Sequence, residues 1–116
     1  AILHAPPDDI NAIGRRVTIG HGAVVHAKRV GDAAVIGMGA VVSIWAEIGQ
    51  WTIVAEGSVV KLKQVTPPEV VAAGNPARIV RDVTDKDKEF WRWGKQLYID
   101  LAQKYLETGL EPIENR

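Results

Sequence analysis

The sequence contains no cysteine. That excludes a disulfide framework and any thiolate metal site, so a transition metal bound here would be held by His, Asp or Glu. Histidine is itself scarce: His4, His21 and His26 are the only three in 116 residues. Charge of one sign is not in excess either, because 14 Lys and Arg balance 14 Asp and Glu. There is no overall field to recruit nucleic acid or an anionic membrane, and neither is expected as a partner. No apolar run approaches the ~20 residues of a membrane span. The opening AILHAPPDD has neither the basic start nor the long apolar core of a secretory signal. The expectation is a soluble, cytoplasmic protein with one compact domain, small enough to gain stability by associating. The sequence opens on Ala within what reads as a strand, the pattern of a fragment, a processed chain or one with unreported upstream sequence.

What the sequence does have is a repeat. Ile or Val recurs every six residues at Ile13, Ile19, Val25, Val30, Ile36, Val42, Ile48, Val54 and Val60, with a single short step between Val25 and Val30, just after His26. The next residue is usually small, as at Gly14, Gly20, Gly31, Gly37, Ser43, Gly49 and Ala55, and so is the residue four places on, as at Ala23, Ala34, Ala40 and Ser58. A six-residue period fits neither an amphipathic helix nor an alternating strand, but it fits a coil of short strands and tight corners with the aliphatic side chain inward. Glycine after that position lets backbone approach backbone where a Cβ would crowd it. The reading is a parallel β-helix, with about three turns over residues 13–65 if three hexapeptides close one triangular turn. Its ends need covering, because an open turn exposes core and unpaired backbone.

The repeat fades after residue 65, where Pro67 and Pro68 break the strand pattern and Gly74, Asn75 and Pro76 mark a turn. Thr84 then reads as a helix N-cap, with Asp85 and Asp87 in the first turn, where negative charge is favoured. Phe90, Trp93, Leu97, Leu101 and Tyr105 recur at helical spacing, and Gly109 suits a C-terminal stop. This stripe, together with Trp91, is expected to pack on the wall of the β-helix, in the same chain or a neighbour.

In such a coil the side chains outside the core columns project outward, so His21 and His26 belong on the surface. A tetrahedral catalytic zinc site uses three protein ligands and an open fourth position. A third histidine would come from another turn or another chain, and His4 is the one remaining; a bulge at APPDDINA would let it stack near His26. The residues themselves leave two readings open, ligands or solvated polar side chains.

The stretch TIGHGAVVHAKRVGDAAVIGMGAVV resembles the signature of the gamma-class carbonic anhydrases and their ferripyochelin-binding-like relatives. VVAAGNPARIVRDVTDKD resembles the segment that leads that family's chains into a C-terminal helix, and ILHA resembles the strand that carries its first histidine. The resemblance covers residues 2–106 and implies a left-handed hexapeptide β-helix over residues 1–82, a C-terminal helix over 83–108 and a tail over 109–116. It also implies a homotrimer in which His4 and His26 of one subunit and His21 of its neighbour bind zinc, or iron or cobalt. Water activated by that metal would hydrate carbon dioxide reversibly to bicarbonate. Tyr98 matches a tyrosine of the family's terminal helix that would line the pocket. Asp8, with Asp9, would be placed to relay a proton, although both also read as turn aspartates.

The family's turns upstream of the first histidine, with an Arg and Asp, a Gln and an Asn near the metal, have no counterpart in this sequence. Lys28 stands near the expected site, where a cation disfavours bound metal and attracts bicarbonate. Glu47 and Glu56 read as a solvated face. Two other functions compete. One is an acyl-coenzyme A transferase or thioesterase, with His4 or His26 as general base and Lys61 and Lys63 toward the cofactor's phosphates. The other is a non-catalytic scaffold built on a truncated β-helix.

Overall fold

The computed structural model describes residues 1–109. Thirteen strands precede one helix: β1 (Ile2–Leu3), β2 (Ala12–Ile13), β3 (Thr18–Ile19), β4 (Val24–Val25), β5 (Arg29–Val30), β6 (Val35–Ile36), β7 (Val41–Val42), β8 (Glu47–Ile48), β9 (Ile53–Val54), β10 (Val59–Val60), β11 (Val65–Thr66), β12 (Val70–Ala73), β13 (Arg78–Asp82) and α1 (Asp85–Thr108). Every third strand stacks in parallel, giving sheets β1-β4-β7-β10, β2-β5-β8-β11 and β3-β6-β9-β12, the last extended by antiparallel β13. The result is a parallel β-solenoid of four coils, one more than the repeat between residues 13 and 65 had suggested. Two segments outside that stretch complete it. Ile2–Leu3 pairs with β4 despite a longer loop, and Pro67 and Pro68 sit at a corner of the fourth coil without ending the strand pattern.

The six-residue columns are the core. The second residue of each inner strand points inward, and Val25, Ile36, Val42, Val54 and Val60 are fully buried. Each such side chain contributes about 1.5–3 kcal/mol relative to exposure. The small residues four places on fill the corners: Ala23, Ala34, Ala40, Ala46 and Thr52 are likewise buried without remainder. A larger side chain there would push the three walls apart. Most corners turn through a residue with left-handed backbone, and Arg16, Ala33, Trp45, Trp51, Lys63 and Glu69 accept it with φ between 55 and 59°. In the first coil Leu3 remains 52% exposed, whereas Val25, stacked on it, is fully covered.

The outer faces of the three walls differ in chemistry. The outward residues of the second sheet are Ala12, Arg29, Glu47 and Val65, with Arg29 and Glu47 paired at 3.8 Å. Those of the third are Thr18, Val35, Ile53 and Val71, facing α1. The first sheet presents Ile2, Val24, Val41 and Val59, apolar from end to end.

The helix begins as its sequence predicts. Thr84 caps it with a reciprocal capping box, its side chain accepting from the Asp87 amide while the Asp87 carboxylate accepts from the Thr84 amide. Arg81 also clasps Asp87, holding its carboxyl well below the ordinary carboxylate range, with the Thr84 amide as the second cause. Gly109 closes the other end with its amide on the Tyr105 carbonyl. The packing of the helix differs from expectation. Phe90, Trp93, Leu97, Leu101 and Tyr105 are 39–65% exposed, and the side turned to the solenoid carries Trp91, Lys95, Ile99 and Ala102. The physical reason is a specific polar anchor: Lys95 reaches between helix and wall and fixes the helix's rotation. Among the described residues no helix is long and apolar enough to cross a membrane.

Candidate metal centre and helix cleft

The corner between the first and second sheets is regular in the last two coils and irregular in the first two. In the first coil it contains the loop from Ala5 to Ile10, and in the second it is one residue short, running from His26 to Lys28. His4 directly follows β1 and His26 directly follows β4. Because Leu3 is paired with Val25, the two imidazoles stack one coil apart although 22 residues separate them. Backbone bonds fix both: the His4 amide donates to the Val25 carbonyl at 3.0 Å and the His26 amide to the Val42 carbonyl at 2.8 Å. The rings meet edge to face, with His4 Nδ1 2.7 Å from His26 Nε2. Nε2 of His26 is also 3.1 Å from the Ala5 carbonyl oxygen, which can only accept. In either tautomer a single proton serves the 2.7 Å contact, one ring nitrogen donating and the other accepting.

Asn11, which the sequence reading passed over, holds the same corner. Its side-chain amide donates to the Ala27 carbonyl at 2.5 Å, tying the entry of the second coil to the loop of the first. An Asn a few residues beyond a Pro-rich loop was the available signal. Asp8 lies in that loop with left-handed backbone and is exposed, and Asp9 turns its carboxylate to the neighbouring Ile10 amide, the usual behaviour of a turn aspartate. Lys28 is exposed. Lys61 follows β10 in the same corner as the two histidines, whereas Lys63 lies over the Trp45 ring at 5.5 Å.

His21 occupies a different edge of the prism. It lies in the corner that joins β3 of the third sheet to β4 of the first, and it is exposed. One full wall separates it from His26. Consistently, no three His, Cys, Asp or Glu side chains converge within one copy among the described residues. A tetrahedral metal with nitrogen ligands at ~2.0–2.1 Å holds them about 3.3 Å apart. The His4–His26 pair, with ring nitrogens already facing each other at 2.7 Å, fits two such positions after a small parting of the rings. A third ligand has to come from outside the copy.

A second feature lies over the outer face of the third sheet. Between that wall and α1 is a cleft of about 950 Å³, lined by Val17, Ile19, Ile53, Trp91 and Ile99, among others. His21 and Glu56 stand at one rim, Arg16 and Lys95 at the other, and Tyr98 faces it from the helix while remaining 63% exposed. Lys95 is 4% exposed, and its ammonium donates to Thr18 Oγ1 at 2.7 Å and to the Ala34 carbonyl at 3.1 Å. Burial lowers its pKa to about 8, with the nearby Arg16 charge adding to the effect. The unfolded chain, with an ordinary lysine, binds more protons than the folded one between pH 8 and 10.5, so stability rises with pH across that window. The full gain is about 3 kcal/mol. Denaturant unfolding of the wild type and Lys95→Met at pH 7 and pH 10 isolates it: the wild type gains relative to the variant, and parallel pH profiles would contradict the assignment.

No protein-family profile matches the chain. Individual proteins do. The Arabidopsis thaliana protein named gamma carbonic anhydrase 2, mitochondrial, is 40% identical over 102 residues, 88% of this chain and 37% of the relative. Carnitine operon protein CaiE of Salmonella agona (strain SL483) is 37% identical over 109 residues, 94% of this chain and 54% of the relative. The chain thus spans roughly a third to a half of the length of these relatives. Among solved structures, an acetyltransferase-like protein of Bacillus cereus superposes with a TM-score of 0.85 at 31% identity, covering 89% of this chain and 60% of the other. A galactoside acetyltransferase in complex with coenzyme A superposes with a TM-score of 0.63 at 28% identity over 74% of this chain and 52% of the other. In sequence and in its stacked hexapeptide coils, this chain belongs to the gamma carbonic anhydrase and CaiE-like hexapeptide-repeat family.

Proposed function

We propose that this chain forms a homotrimer that holds a divalent metal, zinc or else iron or cobalt, between His4 and His26 of one copy and His21 of the next, and that it hydrates carbon dioxide reversibly. The observation that carries the reading is the first sheet. Its outer face, Ile2, Val24, Val41 and Val59, is apolar, and its two edges carry His4 with His26 on one side and His21 on the other. A head-to-tail contact that closes a ring brings one edge of each copy against the opposite edge of the next. Burying the valine face drives that contact, and the histidines then meet.

Bound there, the metal would supply Lewis acidity that makes water a nucleophile near neutral pH. The protein's own residues do the rest. Asn11 and the ladder bonds of His4 and His26 hold the imidazoles in place. Tyr98 and Asp8, each exposed, are available as a pocket wall and a proton relay.

Elemental analysis of protein purified without chelators tests this. The expected result is near one metal per chain in the wild type and about a tenth of that or less in His21→Ala, with carbon dioxide hydration lost in parallel. An empty wild type, even after reconstitution with zinc, iron(II) or cobalt(II), overturns it. The acetyltransferase structural neighbours favour a second reading, acyl transfer with the His4–His26 pair as base. Acetyl-coenzyme A turnover without metal distinguishes it.

A further inference from the structure

We infer that the cleft between α1 and the third sheet is a binding site for a small organic carboxylate with an apolar body, its head group on Lys95 and Arg16 and its body along Val35, Ile53, Trp91 and Ile99. The inference does not rest on the metal reading, because the cations lie at the rim away from His21.

The cleft's volume of about 950 Å³ falls within the range of small-molecule sites. Its wall is apolar because Val35 and Ile53 hold the middle outward positions of the third sheet, where the second sheet has Arg29 and Glu47. Its polar groups are segregated. Arg16, Thr18 and Ala34 belong to the corner by which the chain enters the third sheet, whereas His21, Met38 and Glu56 belong to the corner by which it leaves. Glu56, the cleft's one carboxylate, therefore stands across the sheet from the cations.

The cationic rim has no counter-charge. Lys95 satisfies two of its three N–H donors with neutral oxygens. Arg16 donates to the amide oxygen of Gln96 at 2.8 Å. Neither guanidinium nor ammonium is among the ion pairs of the described residues, which are Arg29–Glu47, Arg81–Asp87 and Lys88–Glu69. A buried ammonium next to a guanidinium is costly unless something neutralises it. Arg92 adds a third cation close by, over the Trp51 ring at 5.3 Å. Arg16, Arg92, Lys95, Trp51 and Trp93 line a recess at that rim that contains no acid. A ligand carboxylate supplies the missing charge, and an acyl or aryl body of modest size covers the valine and isoleucine wall.

Octanoate is the probe, with octanol as its uncharged counterpart, titrated against the full chain at neutral pH and low salt while tryptophan fluorescence is followed. Trp91 lines the cleft itself, so occupancy changes the signal. Octanoate is expected to saturate the change, with octanol at least about tenfold weaker. Lys95→Met and Arg16→Gln should each weaken octanoate about tenfold and leave octanol unchanged. Arg15→Gln, on the same turn but outside the cleft, should leave both unchanged. Arg16 is exposed, so its variant keeps the fold and decides the matter if Lys95→Met is damaged. Equal binding of octanoate and octanol, no saturation, or full octanoate affinity in Arg16→Gln would each overturn the assignment.

Discussion

Gly37→Ala is expected to lose about 3 kcal/mol of stability, an unusual cost for one methyl group. A Cβ built on Gly37 would stand 2.6 Å from the Glu56 amide nitrogen, 2.8 Å from the Val54 carbonyl oxygen and 2.9 Å from the Ala55 carbonyl carbon. All three are backbone atoms of the next coil, and none can swing aside as a side chain would. The Gly37 amide donates to that same Val54 carbonyl at 2.8 Å, so making room means lengthening a ladder bond between stacked coils. Gly39, two residues on, provides the control. It has φ of 69°, yet a Cβ there meets nothing within 4 Å. Ala33 holds a left-handed backbone at the corresponding position of another corner. Gly39→Ala should therefore cost only about 1 kcal/mol. Denaturant midpoints of the two variants check the ranking, and similar losses would refute the coil-contact explanation.

The second large effect is expected from Val41→Asp. Val41 points outward at the middle of the first sheet, paired with Val24 on one side and Val59 on the other, so its replacement leaves the core columns intact. In an assembly that buries this face, an unpaired carboxylate would cost several kcal/mol at each contact. The variant should elute as a folded monomer and retain almost no metal, although His4, His21 and His26 are all present. Glu47→Ala, outward on the second sheet, should change neither property, since an exposed ion pair contributes little. A monomeric variant that still binds one metal per chain would show that the histidines act without a second copy.

The coil was legible in the sequence because its physics is local. Each strand needs one aliphatic residue inward and each corner one small residue, so the six-residue period is written along the chain wherever the core is continuous. The helix start was legible for the same reason: Thr84 and Asp87 satisfy the first amides from within three residues. The number of coils was less accessible. The ten-residue step from Leu3 to Ile13 breaks the period, and pairing with β4 brings Leu3 back into register. Pro67 and Pro68 look like a stop, yet a corner accommodates them because the strands resume on either side.

The sequence by itself determined the solenoid, its corner residues, the helix with its caps, and that its only imidazoles are those of His4, His21 and His26. Only the tertiary structure decided which of them meet. His4 and His26 touch because 22 residues, loop included, make up one circuit of the prism, a length that no local pattern records. His21, only five residues from His26, is held on another edge by the corner between them. The orientation of α1 was likewise a tertiary matter: its apolar stripe satisfies a packing rule, but the hydrogen bonds of Lys95 to Thr18 and Ala34, 77 and 61 residues away, select the face that meets the wall. Hydrophobic period fixes what a segment becomes, whereas convergence of distant polar groups depends on the summed length of every coil between them.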